Sequence, residues 1–247
     1  MGKKDIAIVI PSHKRWDKIT THKLVRDAIV CVPESQASQY LENNPGIVID
    51  AHPDSVIGIA PKRQWIYDKY GDVLMIDDDI SRISCVYSEK SKQNLTPDEF
   101  WEIIQSHYQT CKENGIYLFG FTSNANPLMF DVFDPIKFSG VIMAGCIGLL
   151  KNDKFKFCPE AKNVDDYLIC GINAYYFRKA LIDTRFCCVP IATFHSTGGL
   201  SEFRSLETEK ADTIFLRRKF GEALTIKKNT AKAKVFHEYQ RTLRIPF

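Results

Sequence analysis

Three consecutive carboxylates, Asp77-Asp78-Asp79, directly follow the apolar run Val73-Leu74-Met75-Ile76. Side chains alternate along a strand, so a strand ending here sends Asp77 and Asp79 to one side and Asp78 to the other. Two carboxylates on one side of a strand end form a hard-oxygen site suited to Mg²⁺ or Mn²⁺. With no cation between them they repel at close range. A solvated acidic turn is the plainer reading, but the apolar residues before the triplet and Ile80 after it pin it to the edge of a core.

A second acidic pair, Asp165-Asp166, lies in Asn163-Val164-Asp165-Asp166-Tyr167. A carboxylate among other acids can have a raised pKa, which suits it to take a proton from an attacking hydroxyl. Two acids also suit the start of a helix, and both readings stand at this point. Lys62 and Arg63, in Gly58-Ile59-Ala60-Pro61-Lys62-Arg63, add positive charge to a helix start and favour an anion such as a diphosphate. Gly145, in Gly145-Cys146-Ile147-Gly148, permits close backbone approach to a ligand, and a strand bulge explains it equally well. His195 precedes Ser196-Thr197-Gly198-Gly199, and a neutral imidazole there can complete the shell of Mn²⁺. His13 reads as a substrate contact or a surface residue.

The elements that must position these residues begin with a continuously apolar strand, Ile6 to Ile10, ended by Pro11-Ser12-His13. A short polar helix is expected over 18–26, a strand over 28–32, a helix over 34–43 and a short strand over 47–49. A helix over 60–70 and the strand 73–76 follow. This alternation predicts a mostly parallel sheet with helices on both faces. In such sheets ligands bind beyond the C-terminal strand ends at a topological switch point, where Pro11-Ser12 and the acidic triplet can line one crevice. Thr96-Pro97-Asp98-Glu99 has the layout of a capping box and starts a helix expected to reach about Glu113. Further expectations are a strand over 116–122, short antiparallel additions over 127–150, a short helix over 165–171 and a strand over 192–194. Helices are expected over 208–220 and 230–243. The simplest organisation is one α/β domain, residues 1–205, with a basic helical extension over 206–247.

Composition fits a globular chain: 247 residues, 45% hydrophobic and 26% charged. No apolar run is long enough to span a bilayer, and Met1-Gly2-Lys3-Lys4-Asp5 has no signal-peptide layout. Eight cysteines include no C-x-x-C pair, so a structural zinc site is not expected and the thiols read as reduced, in a cytoplasm. From Lys210 onward there are ten Lys and Arg against three Asp and Glu, a local +7 within an overall +3, which leaves −4 elsewhere. Such a segment is a solvated face or meets a polyanion.

In this order the motifs resemble a GT-A-fold glycosyltransferase: Ile8-Val9-Ile10-Pro11-Ser12, Asp77-Asp78-Asp79, Gly145-Cys146-Ile147-Gly148, Asp165-Asp166 and His195. The acidic pair is Asp-Asp where Glu-Asp is the commoner form. More narrowly, Ile10-Pro11-Ser12-His13-Lys14-Arg15, Val32-Pro33-Glu34-Ser35-Gln36 and Ile76-Asp77-Asp78-Asp79-Ile80 resemble the TET-associated glycosyltransferases of bacteriophages, which act on hydroxymethylated pyrimidines in DNA. The resemblance implies a nucleotide-sugar donor, a UDP-sugar first, with its base near Pro11 and Ser12. Asp77, Asp79 and His195 then hold Mn²⁺ or Mg²⁺, Asp78 and Gly145 adjoin the donor, and Lys62 and Arg63 support its phosphates. Asp166, with Asp165 beside it, is the base of an inverting displacement. The implied acceptor is DNA, with Arg217, Arg218, Lys219, Lys227, Lys228, Lys232 and Lys234 as phosphate contacts, in a host cytoplasm and without membrane insertion or an obligate protein partner. The competing expectations are a polysaccharide-directed glycosyltransferase, a sugar nucleotidyltransferase and a non-catalytic nucleic-acid-binding protein. The nucleotidyltransferase would carry a glycine-rich loop after the first strand, and Pro11-Ser12-His13-Lys14-Arg15 has no glycine.

Overall fold

The computed structural model describes residues 6–87, 93–143, 145–191, 204–227 and 237–244. Strands β1 (Ala7–Pro11), β2 (Ile29–Pro33) and β3 (Val48–His52) alternate with helices α1 (Ala37–Asn43) and α2 (Ile59–Tyr70) before β4 (Val73–Ile76). Next come β5 (Ile80–Cys85), α3 (Pro97–Asn114), β6 (Leu118–Thr122), β7 (Ile136–Lys137), β8 (Cys146–Leu149), α4 (Asp165–Tyr176) and β9 (Leu181–Pro190). Helix α5 (Leu206–Phe220) and the hairpin-like pair β10 (Leu224–Ile226) and β11 (Arg241–Leu243) complete the described chain.

The large sheet runs β3-β2-β1-β4-β8-β6-β9-β5, with β7 beside β9. Strands β1 to β4 are mutually parallel, and β6 is parallel to β9. Strand β8 is antiparallel to both neighbours, β4 and β6. Reversing one strand between them leaves β4 and β6 pointing the same way, so their C-terminal ends share one edge. This is the α/β arrangement expected, except that the antiparallel strand β8 lies inside the sheet. The chain winds outward from β1 through β2 to β3 and then returns to β4 on the other side of β1. The switch point therefore falls between the ends of β1 and β4, where Ser12 and Asp77 begin their loops.

Alternation along the central strands feeds two cores. Ile8, Ile10, Leu74 and Ile76 join Tyr40 of α1 and Phe100, Ile104 and Cys111 of α3 on one face. Val9, Val73 and Met75 join residues of α2, α4 and α5 on the other. Leu216, Leu224 and Leu243 belong to that second core, so the basic segment packs against the sheet domain. Thr96 and Glu99 form the expected capping box on α3. No helix among the described residues is long and apolar enough to cross a membrane.

Several expectations are corrected. The helix expected over 18–26 is only a 3-10 turn, Thr21–Lys23, because its backbone and hydroxyls bond to the acidic turn instead. Helix α4 runs on to Tyr176, five residues past the expected end. The described part of the segment 230–243 is a 3-10 turn, His237–Tyr239, and strand β11, which pairs with β10 through Thr225 and Thr242. The expected strand over 192–194 lies outside the described residues. Strands β5 and β9 were not anticipated. In β9 the polar stretch Asp183-Thr184-Arg185 breaks the apolar pattern, and Asp183 is buried because His107 (2.9 Å) and Arg185 (2.8 Å) pair with it.

Candidate active site at the sheet switch point

The acidic triplet sits in the turn between β4 and β5, not on a strand. The alternation expected of the three carboxylates therefore does not hold; each side chain is aimed by its own partner. Thr21 accepts from the Ile80 N–H (2.9 Å) and donates to the Asp77 carbonyl (2.6 Å). The Thr20 N–H donates to the Asp78 carbonyl (3.0 Å) and its hydroxyl to the Ile80 carbonyl (2.7 Å). Opposite, the Asp77 N–H donates to the Gly145 carbonyl (3.0 Å). A Cβ on Gly145 would stand 3.8 Å from Asp77 Oδ2, so the loop before β8 closes one wall of the site. Gly148 has a different role: a Cβ there would lie 2.1 Å from the Phe119 ring, so core packing and not a ligand occupies that space.

Ser12, at the end of β1, donates its hydroxyl to Asp78 and shares a 2.6 Å hydrogen bond with the Tyr40 hydroxyl. Pro11 ends β1 beside Cys31 of β2. Arg15 Nη1 bridges Asp78 (2.8 Å) and Asp79 (3.1 Å). On the far side of the turn Arg63, 1% exposed, pairs with Asp77 (3.0 Å) and with Asp165 (3.2 Å). This guanidinium joins acids 88 positions apart in sequence and brings the two acidic motifs into one site. Burial opposes its charge, but Asp165, Asp77 and Asp166 outweigh that and hold Arg63 firmly protonated.

Asp165 and Asp166 open α4 and are both buried. They stand at the helix's positive end, and Asp166 Oδ1 accepts the Tyr167 N–H (2.7 Å). Their loop is fixed from α5. Buried Asp212 accepts from the backbone N–H groups of Lys162 (2.9 Å) and Asn163 (3.1 Å) and from the Asn163 amide (3.0 Å). Lys62 corrects an expectation. It is 4% exposed, its ammonium donates to the Ser12 carbonyl, and burial pushes it down to about 8. Neither Lys62 nor Arg63 offers its charge outward to a phosphate; both hold the floor of the site. His195 lies outside the described residues, as do Lys228, Lys232 and Lys234. Arg217, Arg218, Lys219 and Lys227 are exposed.

In their ionised forms the five carboxylates (Asp77, Asp78, Asp79, Asp165, Asp166) outnumber the three cations around them (Arg15, Lys62, Arg63) by two. A divalent cation matches that demand, and oxygen donors suit Mg²⁺ or Mn²⁺. Asp77 and Asp79 are the residues that could hold it. Among the described residues no three His, Cys, Asp or Glu side chains gather into a metal-holding cluster.

The charge excess has a pH consequence. Asp77 is partly buried near three other carboxylates; burial first, then those charges, push it from 3.8 to about 7 against the pull of Arg63. Asp78 moves the same way, burial again leading. Between about pH 4 and 7 the folded chain therefore holds a proton that the unfolded chain has released, so this group's contribution to stability declines as pH rises through that window. Thermal unfolding in EDTA at pH 5, 6 and 7 is expected to show this decline, and Asp77→Asn to flatten it. An equal slope in that variant would remove Asp77 as its source.

The family model described as TET-Associated Glycosyltransferase matches residues 6–171, a span that contains Ser12, Arg15, Arg63, the acidic turn, Gly145 and Asp165-Asp166. None of the curated proteins matches. Among solved structures the chain is similar to the crystal structure of S. aureus TarS 1-349, at 10% identity and a TM-score of 0.44, with 89% of this chain and 73% of that one covered. It is also similar to CMP:2-keto-3-deoxy-manno-octonic acid synthetase complexed with CTP, at 10% identity and a TM-score of 0.41, over 87% of this chain and 100% of that one.

Proposed function

The chain belongs to the TET-associated glycosyltransferase family, and from that premise we propose that it moves a sugar from a nucleotide-sugar to a 5-hydroxymethylpyrimidine of DNA by an inverting displacement. The observation that carries the site assignment is the Arg63 bridge, which draws Asp77 and Asp165 to one guanidinium at the switch-point crevice. The donor, a UDP-sugar first, lies across that crevice with its base towards Pro11 and Ser12. Asp77 and Asp79 would hold a divalent cation, which supplies charge neutralisation for a departing diphosphate.

Asp166, the second acid at the start of α4, acts as the base, with Asp165 beside it paired to Arg63. Its carboxylate takes the proton of the acceptor hydroxyl as that oxygen bonds to the anomeric carbon and the bond to the diphosphate oxygen breaks. One displacement inverts the anomeric configuration, through an oxocarbenium-like transition state. Two surfaces support a DNA acceptor. Helix α5 exposes Arg217, Arg218 and Lys219, which suit phosphates. The segment between β6 and β8, which leaves the crevice edge and returns to Gly145, exposes Leu128 (90%) and Phe133 (96%), which suit an unstacked base.

The test is transfer itself. Hydroxymethylated DNA is incubated with a panel of nucleotide-sugars and Mn²⁺, and its nucleosides are analysed by mass spectrometry. A sugar-bearing hydroxymethylpyrimidine is expected from the unaltered chain and none from Asp79→Ala. Sugar found only on oligosaccharide acceptors would reject the DNA reading, and near-normal transfer by Asp79→Ala would reject the metal role of the turn.

A further inference from the structure

Arg15 is placed with more care than a surface ion pair requires. The backbone before it passes through the left-handed region at Lys14 (φ 53°), a strained choice for a side-chain-bearing residue. Two side chains hold it there: Gln36 accepts the Lys14 N–H (2.8 Å), and the Tyr40 hydroxyl accepts the Arg15 N–H (3.0 Å). The result is one guanidinium nitrogen set between Asp78 and Asp79, with its side chain 11% exposed. Asp78 has a second partner in Ser12, and Arg15 is an ion-pair partner of Asp79.

We propose that Arg15 is a resident counter-ion of the acidic turn that gives up Asp79 when the cation and the donor diphosphate arrive, and then binds the diphosphate. The inference rests on the metal and donor reading above. A guanidinium beside Asp79 repels a second cation at that carboxylate, so it must raise the metal's dissociation constant while the site is without donor. Once the metal takes Asp79, the same planar cation faces a diphosphate, the ligand that a guanidinium fork fits best. Arg15 thus disfavours loading of the metal alone and favours loading of metal with donor. It is a positioning residue for the leaving group.

The experiment uses the full chain. Mn²⁺ binding is measured by electron paramagnetic resonance without nucleotide, and binding of inorganic pyrophosphate in saturating Mn²⁺ by calorimetry. Pyrophosphate makes the result independent of which nucleotide the donor carries. Arg15→Gln is expected to bind Mn²⁺ about tenfold more tightly and pyrophosphate about tenfold more weakly, opposite changes that a merely structural arginine would not produce. Arg15→Met, neutral and free of hydrogen-bonding demands, should repeat both changes. Arg15→Lys, which keeps the charge, should stay within about threefold of the unaltered chain for Mn²⁺. Unchanged or weaker Mn²⁺ binding by the neutral variants, or unchanged pyrophosphate binding, would overturn the proposal and leave the metal reading standing. Failure of the unaltered chain itself to bind Mn²⁺ would overturn the metal reading and this proposal with it.

Discussion

Asp166→Asn is expected to lower turnover by about 10²–10⁴-fold while leaving donor binding close to normal, the range a positioned general base contributes. The substitution is nearly isosteric. An asparagine oxygen still accepts the Tyr167 N–H that Asp166 Oδ1 accepts now (2.7 Å), so the first turn of α4 keeps its geometry. What is lost is the capacity to take a proton. The change should therefore fall on kcat, with the donor dissociation constant, measured by calorimetry, within a few-fold of normal. The pH profile separates chemistry from structure. The acidic limb due to the base should vanish, because an amide has no proton to titrate there. Asp165→Asn is the comparison. It removes the Arg63 ion pair of Asp165 (3.2 Å), so its first effect should be on stability. If Asp166→Asn keeps kcat within threefold while Asp165→Asn loses it, the base is Asp165 and the assignment must be reversed.

Removing Arg63 should have the largest effect on folding. Arg63→Met leaves Asp77 and Asp165 near each other without the guanidinium between them, one partly buried and the other almost fully. Breaking a buried pair by deleting one partner typically costs about 3–5 kcal/mol, because a charge remains where water cannot solvate it. Urea denaturation at pH 8 should show a loss of that order. At pH 5 the loss should be smaller, since Asp77, already pushed up to about 7, protonates and no longer needs a counter-ion. The double variant Arg63→Met, Asp77→Asn should recover part of the loss at pH 8, the non-additivity expected of contacting residues. A pH-independent loss, or strict additivity, would show that Arg63 stabilises by packing alone.

How much of this was legible in sequence depends on the kind of residue. β1, β4, α2 and α3 were readable almost to the residue. Each has a local signal: a continuous apolar run for a strand buried on both faces, or a cap and a stop for a helix. β9 was not readable, because the burial of Asp183 depends on His107 in α3, 76 positions away. The segment 18–26 misled for a related reason. Its polar residues do suit a helix surface, yet Thr20 and Thr21 bond to the acidic turn, which local pattern cannot register. Ser12, the acidic triplet, Gly145 and Asp165-Asp166 stand out by residue type and order, and the fold brings them to one crevice. Lys62 and Arg63 read as supports for an anion, whereas the fold buries both, Arg63 against the acids and Lys62 against the Ser12 carbonyl. Arg15 carries no local signal beyond its place in the run that follows β1, and Tyr40, Thr21 and Asp212 have none beyond being ordinary polar residues.

The amino-acid sequence by itself determined the inventory: which strands exist near the N-terminus, that their ends carry acids, and that a basic segment follows. Periodicity and capping act over a few residues, so they survive without knowledge of partners. Only the tertiary structure decided which cation each acid meets, that Arg63 couples Asp77 to Asp165, and that Arg15 stands where a metal would go. Those pairings are settled by burial, because an ionised group taken out of water must find its opposite charge wherever the fold has put one.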